Sequence, residues 1–126
     1  MSTINAQNFG DGTDSVPASA VLEGTSKAWA YYDQAIPSVE NDYNVTSVTD
    51  RATGRYTVNF TTSFSDSVYC WQNGSQITPA GGSTPVVSGF DLLGSQTSSA
   101  FDAATRTGSG VNLDVNSCTG FLGDLA

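Results

Sequence analysis

Residues 45–60 constrain the fold of this chain more than any other segment. They read VTSVTDRATGRYTVNF, two alternating runs rich in β-branched residues, joined by a short polar turn that contains Gly54. A period of two puts Tyr56, Val58 and Phe60 on one face of a strand and the polar residues between them on the other. The segment therefore predicts a β-hairpin whose second strand contributes to a core.

Other parts of the chain carry the same kind of short, alternating pattern. Strands are predicted over residues 26–32, 43–49, 68–71, 100–107 and 111–115, and short strands or a turn of helix over residues 86–93. The segments 100–107 and 111–115 are expected to pair as a final hairpin, and residues 72–75, with their Asn-Gly pair, are expected to form a turn. Since no long stretch has the 3.6-residue period of an amphipathic helix, we expect an all-β fold, a short antiparallel β-sandwich.

The 126 residues have room for one domain. Residues 1–22 are rich in Asn, Asp, Gly and Ser and their apolar residues have no period, so we expect an extended N-terminal arm. Residues 23–126 are expected to form the sandwich domain. Only 38% of the residues are hydrophobic, which allows a thin core, and burial between subunits would add to its stability.

The charge of the chain excludes several classes of partner. Twelve acidic residues against four basic ones give a net charge of −8, whereas nucleic acids and anionic membranes attract proteins rich in Lys and Arg. No stretch approaches the length of about 18 apolar residues that a membrane span needs, and the first ten residues lack the features of a secretory signal. We expect a protein made in the cytoplasm that binds no nucleic acid and enters no membrane.

The two cysteines, Cys70 and Cys118, have no metal-binding spacing. A reducing compartment disfavours a disulfide, so we expect buried or half-buried free thiols, with a bridge as the alternative.

The residue types present argue against catalysis. The chain has no histidine, which excludes Ser-His-Asp and Cys-His arrangements, and its carboxylates are scattered along the sequence. It has no phosphate-binding Gly-x-x-x-x-Gly-Lys motif, and its Asp-rich segments lack the spacing of a calcium loop. We expect neither an enzyme nor a metal or other cofactor.

Binding by aromatic and polar side chains remains, because such groups suit sugar rings and protein pockets alike. Each aromatic residue could instead pack in the core or at a subunit seam, and Trp29 is interpreted as a packing residue. The candidate binding residues are Tyr31, Tyr69, Trp71, Gln72, Asn73 and Gln76.

Four elements of the sequence resemble a phrase found in short bacteriophage virion proteins, the family of tail-fibre and receptor-binding domains. They are Lys-Ala-Trp at 27–29, Tyr-Asn-Val-Thr-Ser-Val-Thr-Asp at 43–50, Thr-Gly-Arg-Tyr-Thr-Val-Asn-Phe at 53–60 and Phe-Leu-Gly-Asp-Leu-Ala at 121–126. The resemblance implies a homotrimeric virion component, assembled in the host cytoplasm, that binds a host surface glycan or protein. It also implies that residues 1–22 attach the domain to another virion protein, although a flexible leader is the alternative.

The expected function is therefore adhesion at the tip of a tail fibre or spike. Contact is expected through the loop at residues 72–84 and the loops that flank residues 86–96, where the shared phrase is absent. The alternative is a capsid decoration or head-fibre protein that binds or stabilises the coat, and a third possibility is a carbohydrate-binding module outside any particle.

Overall fold

A computed structural model of the chain describes residues 6–76 and 86–126. They contain one short helix, α1, at Ala18–Gly24. The strands are β1 Asn8–Gly10, β2 Ser15–Pro17, β3 Ala28–Asp33, β4 Ser38–Tyr43, β5 Val45–Ala52, β6 Arg55–Phe60, β7 Cys70–Gln76, β8 Val86–Phe90, β9 Ala100–Thr107 and β10 Asn116–Leu122. No helix in the described part of the chain is long and apolar enough to cross a membrane.

The strands from β3 to β10 form two four-stranded antiparallel sheets. Sheet I has the order β4-β3-β10-β7 and sheet II the order β5-β6-β9-β8. The chain crosses between the sheets after β4, β6, β7 and β9, so each sheet combines strands that are distant in sequence. The predicted all-β sandwich is confirmed.

The inner faces of the two sheets form one aromatic core. The ring centroids of Tyr32 and Tyr56 lie 5.3 Å apart across the sheets, and those of Phe101 and Phe121 lie 5.2 Å apart. Buried residues alternate along β3 and β6 as the sequence predicts, because successive side chains of a strand point to opposite faces. The other apolar core residues are Ala28, Ala30, Val45, Val58, Phe60, Phe64, Tyr69 and Ala103.

The predicted hairpin at residues 45–60 is confirmed as β5 and β6. Gly54 in its turn has φ of +65°, and a Cβ there would lie 2.5 Å from the carbonyl oxygen of Thr105. Glycine is therefore required both for the backbone conformation and for the close approach.

A single residue, Asn44, turns the chain from β4 in sheet I into β5 in sheet II. Its φ is +56°, in the left-handed region that Asn tolerates better than most residues. Its side-chain amide donates to the carbonyl oxygens of Lys27 and Thr62, and its side-chain oxygen accepts from the Thr62 amide. The predicted continuous strand over residues 43–49 is therefore broken at its second residue.

Of two sequence predictions about the second half of the chain, one is wrong and the other is confirmed only in part. Residues 72–75 do not form a turn, because β7 runs through them and pairs with β10. The final hairpin forms only at its tip, where Arg106 and Asn112 make an isolated antiparallel bridge and the Leu113 amide donates to the Thr105 carbonyl oxygen. The segment 111–115 is not a full strand of sheet II, since β9 lies between β6 and β8 there. Among the apolar residues of this segment, Val115 is buried while Val111 and Leu113 are exposed.

Residues 8–24 carry local structure that the sequence did not predict. β1 and β2 form a two-stranded hairpin in which Phe9 faces Val16, and α1 follows directly. Phe9, Val16 and Leu22 remain exposed. Attachment through this N-terminal part stays a prediction, as does the trimer.

Candidate functional site

The outer face of sheet I carries three aromatic side chains, which we call the aromatic face: Trp29, Tyr31 and Tyr43. The inward alternation of Ala28, Ala30 and Tyr32 along β3 leaves Trp29 and Tyr31 pointing outward. Both are half-buried, and Tyr43 is 57% exposed. Trp29 is therefore not a core residue, and its interpretation as a packing residue stays a prediction only for a subunit seam.

The strand register aligns these residues in rows across the sheet. Tyr43, Trp29, Gly120 and Gln72 form one row over β4, β3, β10 and β7, because each is the direct partner of the next. The next row contains Asn41, Tyr31, Cys118 and Gly74. Neighbouring strands are about 4.8 Å apart, so the first row spans roughly 14 Å.

A depression of about 380 Å³, which we call the trough, lies beside the aromatic face. Its lining residues are Gln72, Asn73, Gly74, Cys118 and Gly120. Two of them are glycines, and a Cβ at Gly74 would meet nothing within 4 Å. The trough therefore exists because β10 lacks a side chain at Gly120, beside Trp29, and β7 lacks one at Gly74, beside Cys118.

The predicted binding residues divide between the two faces of sheet I. Tyr31 and Gln72 lie on the outer face, whereas Tyr69, Trp71 and Asn73 point toward the interior. This division follows from the alternation of side chains along β7, which is continuous through residues 70–76. The prediction of a turn at residues 72–75 did not allow for this alternation.

Tyr69 is a core residue and takes no part in the site. It is 7% exposed, its ring stacks on Phe64 at 4.4 Å, and its hydroxyl donates to the carbonyl oxygens of Thr97 and Ala100. Burial raises the pKa of its phenol well above the ordinary value, with a smaller contribution from the Asp102 carboxylate.

The other two inward residues also contact the core. The Trp71 ring lies 5.2 Å from that of Phe101, and the Asn73 amide donates to the Tyr56 hydroxyl at 3.4 Å. Gln76 ends β7 as the partner of Asn116. Residues 77–85, which include most of the loop predicted over residues 72–84, lie outside the described residues.

Tyr31 is held in place by the neighbouring strand. Its hydroxyl accepts a hydrogen bond of 3.1 Å from the Asn116 side-chain amide, across the β3–β10 pair. A ring fixed in this way loses little conformational entropy when it binds a ligand.

Both cysteines lie on this outer face, on adjacent strands. Cys70 and Cys118 are free and exposed, so the prediction of free thiols is confirmed and that of their burial is wrong. Cys70 is the partner of Leu122, four positions from Cys118 along β10, which separates the two thiols by more than a disulfide can span.

The chemistry available on this face is that of binding. Aromatic rings present apolar surfaces to a sugar ring or a side chain, and the Gln72 amide both donates and accepts hydrogen bonds. Among the described residues, no group of three His, Cys, Asp or Glu side chains could hold a metal ion. No family model, curated protein or solved structure matches this chain.

Proposed function

We propose that this chain is a bacteriophage virion protein that forms the tip of a tail fibre or spike and adheres to a receptor on the host surface. The observation that carries this proposal is the aromatic face with its adjoining trough, a partly exposed surface of sheet I with a depression beside its aromatic rings. Neutral polar and aromatic groups dominate it, which favours a neutral glycan or an uncharged protein segment as the receptor.

The resemblance to phage fibre proteins also supports this proposal. Several residues of its phrase lie in structural positions: Gly54 makes the hairpin turn, and Tyr56, Val58 and Phe60 are core residues. Such a phrase specifies a scaffold. The receptor would then be selected by outward residues beyond the phrase, such as Tyr31 and Gln72.

The proposal includes a homotrimer. Several apolar side chains at loops of the sandwich are exposed, and association of like subunits would cover them: Ile36, Val68, Leu93 and Val111. Three copies per spike would convert weak single contacts into firm attachment, because the second and third contacts form at high effective concentration. Catalysis has no place in this mechanism.

The adhesion proposal can be tested with the purified full chain, labelled at its N-terminus and mixed with host cells. Trp29→Ala and Tyr43→Ala should each weaken cell binding about threefold to tenfold per site, as expected for the loss of one aromatic contact. Gly74→Leu should weaken it as well, since a Cβ there meets nothing within 4 Å and the rest of the new side chain would extend into the trough.

A matched control is Phe9→Ala, which removes an exposed aromatic ring from the N-terminal hairpin. This variant should bind cells as the wild type does. Equal binding by all four variants, each shown to be folded by circular dichroism, would refute adhesion through the aromatic face. Sedimentation as a monomer at micromolar concentration would refute the trimer.

The second candidate is a capsid decoration or head-fibre protein. It is favoured by the exposed apolar residues Phe9, Val16 and Leu22 on the N-terminal hairpin and helix, which could dock onto a coat subunit. The purified chain would then bind empty capsids and raise their resistance to heat, and Leu22→Ser would weaken that binding. The fibre-tip protein would bind cells instead.

A further inference from the structure

All three arginines of the chain gather on the outer face of sheet II, opposite to the aromatic face. Together with two carboxylates they form what we call the charge cluster: Arg51, Arg55, Arg106, Asp91 and Asp102. Three positive and two negative charges leave an excess of one positive charge. This is notable in a chain whose net charge is −8.

Two of the arginines are closely paired with the carboxylates. Arg55 Nε and Nη2 each lie 2.6 Å from Asp91 Oδ2. Arg51 Nη1 lies 3.4 Å from the same oxygen and 3.0 Å from Asp102 Oδ2. These two guanidinium groups therefore neutralise the two acids.

Arg106 is much less well paired. Its Nη2 lies 3.9 Å from Asp91 Oδ1, which is too far for a hydrogen bond. Its Nε is buried and has no hydrogen-bond partner among the described residues. The side chain as a whole is 32% exposed, so the terminal nitrogens of the guanidinium group can pair with an acceptor that enters from solvent.

Arg106 also lines a cleft of about 280 Å³ at the β8 edge of sheet II. The walls are largely apolar or lack side chains, and they include Phe90, Leu92, Gly108 and Gly110. Leu92 is 79% exposed, and the turn at residues 107–111 is held by hydrogen bonds from the Gly110 amide to Thr107 and from the Thr107 amide to Val111. The cleft thus combines one under-used guanidinium group with apolar walls.

We propose that this cleft binds a ligand with a single carboxylate on an otherwise uncharged ring, of the kind a uronic acid residue presents in an acidic polysaccharide. The carboxylate pairs with the Arg106 guanidinium, whose planar fork suits its two oxygens. The C–H face of the sugar ring packs against Leu92. A monoanion matches the single surplus charge, whereas a dianionic phosphate group leaves the cluster negative.

This site goes beyond the proposed adhesion through the aromatic face, because it lies on the other sheet and selects an anionic ligand. Its ligand would be recognised by the cleft whether the chain forms a fibre tip or decorates a capsid. Failure of one proposal therefore leaves the other standing.

The test is titration of the full chain with sodium glucuronate, followed by nitrogen NMR of the Arg106 Nε–H. Methyl glucoside, acetate and inorganic phosphate serve as separate arms. Glucuronate should shift the Arg106 signal in a saturable manner, acetate should bind more weakly, and the neutral sugar should produce no shift. Absence of saturation by glucuronate, or equal binding of phosphate, would overturn the proposal.

Variants distinguish the cleft from general attraction to positive charge. Arg106→Gln should weaken glucuronate binding, measured by calorimetry, at least about tenfold, as expected for the loss of hydrogen bonds to a charged group. Arg51→Gln removes the same charge from the same cluster without lining the cleft, and it should retain most of the binding. If that variant does not fold, Lys27→Gln on sheet I takes its place.

A further variant, Leu92→Ser, should weaken binding of glucuronate but leave that of acetate unchanged, because it removes only the apolar wall. Unaltered glucuronate binding by Arg106→Gln would refute the assignment of the carboxylate to Arg106.

Discussion

Replacement of Asp91 by Asn should destabilise the protein more than any other single removal of a carboxylate. Asp91 is completely buried, and its Oδ2 contacts Arg55 at 2.6 Å and Arg51 at 3.4 Å. Its Oδ1 accepts a hydrogen bond of 3.1 Å from the Leu93 amide. The asparagine oxygen can keep the contact with Leu93, but the negative charge at the centre of three guanidinium groups is lost.

The magnitude follows from what remains after the substitution. Removal of one partner of a buried ion pair costs about 3–5 kcal/mol. The side chains of the three arginines are 21–32% exposed and can be partly hydrated, so we expect a loss near the lower end, about 3 kcal/mol. With a urea dependence of roughly 1–3 kcal/mol per molar, the unfolding midpoint should fall by about 1–3 M.

The assay is urea unfolding followed by tryptophan fluorescence, with Asp42→Asn as the control. Asp42 is exposed on β4, and its substitution should change the free energy of unfolding by less than about 0.5 kcal/mol. In the double variant Asp91→Asn, Arg55→Gln, the loss in free energy of unfolding should be smaller than the sum of the two single losses. The reason is that this variant removes both charges of the pair and leaves neither one unpaired. A loss below about 1 kcal/mol for Asp91→Asn would refute the view that the charge cluster stabilises sheet II.

Three further predictions concern the core, the acid range and the thiols. Phe101→Ala should lower the free energy of unfolding by about 3–5 kcal/mol in urea titrations, since the ring is fully buried; a loss under about 1 kcal/mol would contradict its central position. Burial alone would raise the pKa of Asp102, but hydrogen bonds from Thr57 and the Ser95 amide, together with the Arg51 charge, bring it below its ordinary value of 3.8. Asp102 therefore contributes stability that is complete above about pH 4 and is lost as the pH falls through the lowered pKa, so Asp102→Asn should flatten the decline in melting temperature between about pH 4 and 2. Both cysteine thiols should react with a disulfide reagent in the native protein without denaturant, and protection of either one would contradict their exposure.

The sequence predicted the parts of the fold that depend on local pattern. The hairpin at residues 45–60 has alternating apolar residues, a polar turn and a required glycine, and all of these signals agree. The alternation along β3 was equally clear. In both cases neighbouring residues specify the structure without help from distant ones.

The errors arise where distant strands override a local signal. The Asn73-Gly74 pair favours a turn by itself, but pairing with β10 keeps it extended. The inward residues of β10 include Ser117 and Thr119, whose hydroxyls are satisfied by Gln34 and by Tyr56 in the interior. Polar residues that point inward give no hydrophobic alternation, so this strand could not be predicted from its pattern.

The candidate sites show the same limit. Tyr31 and Gln72 were predicted as binding residues and do share a face, but the trough depends on glycines of β7 and β10 that become neighbours only through strand pairing. The charge cluster joins residues 36 and 40 positions apart, and their spacing gives no sign of contact. Side-chain chemistry can be judged from the sequence, whereas the juxtaposition of such distant groups requires the topology.

The chemical contrast between the two outer faces has one last consequence. The sheets of a sandwich pack about 10 Å apart, so molecules seated on opposite sides cannot touch or displace each other. The free energies of binding on the two sides should therefore be additive. The chain could bridge two dissimilar molecules at once. Substitutions that retune one side during adaptation to a new environment would leave the opposite side intact.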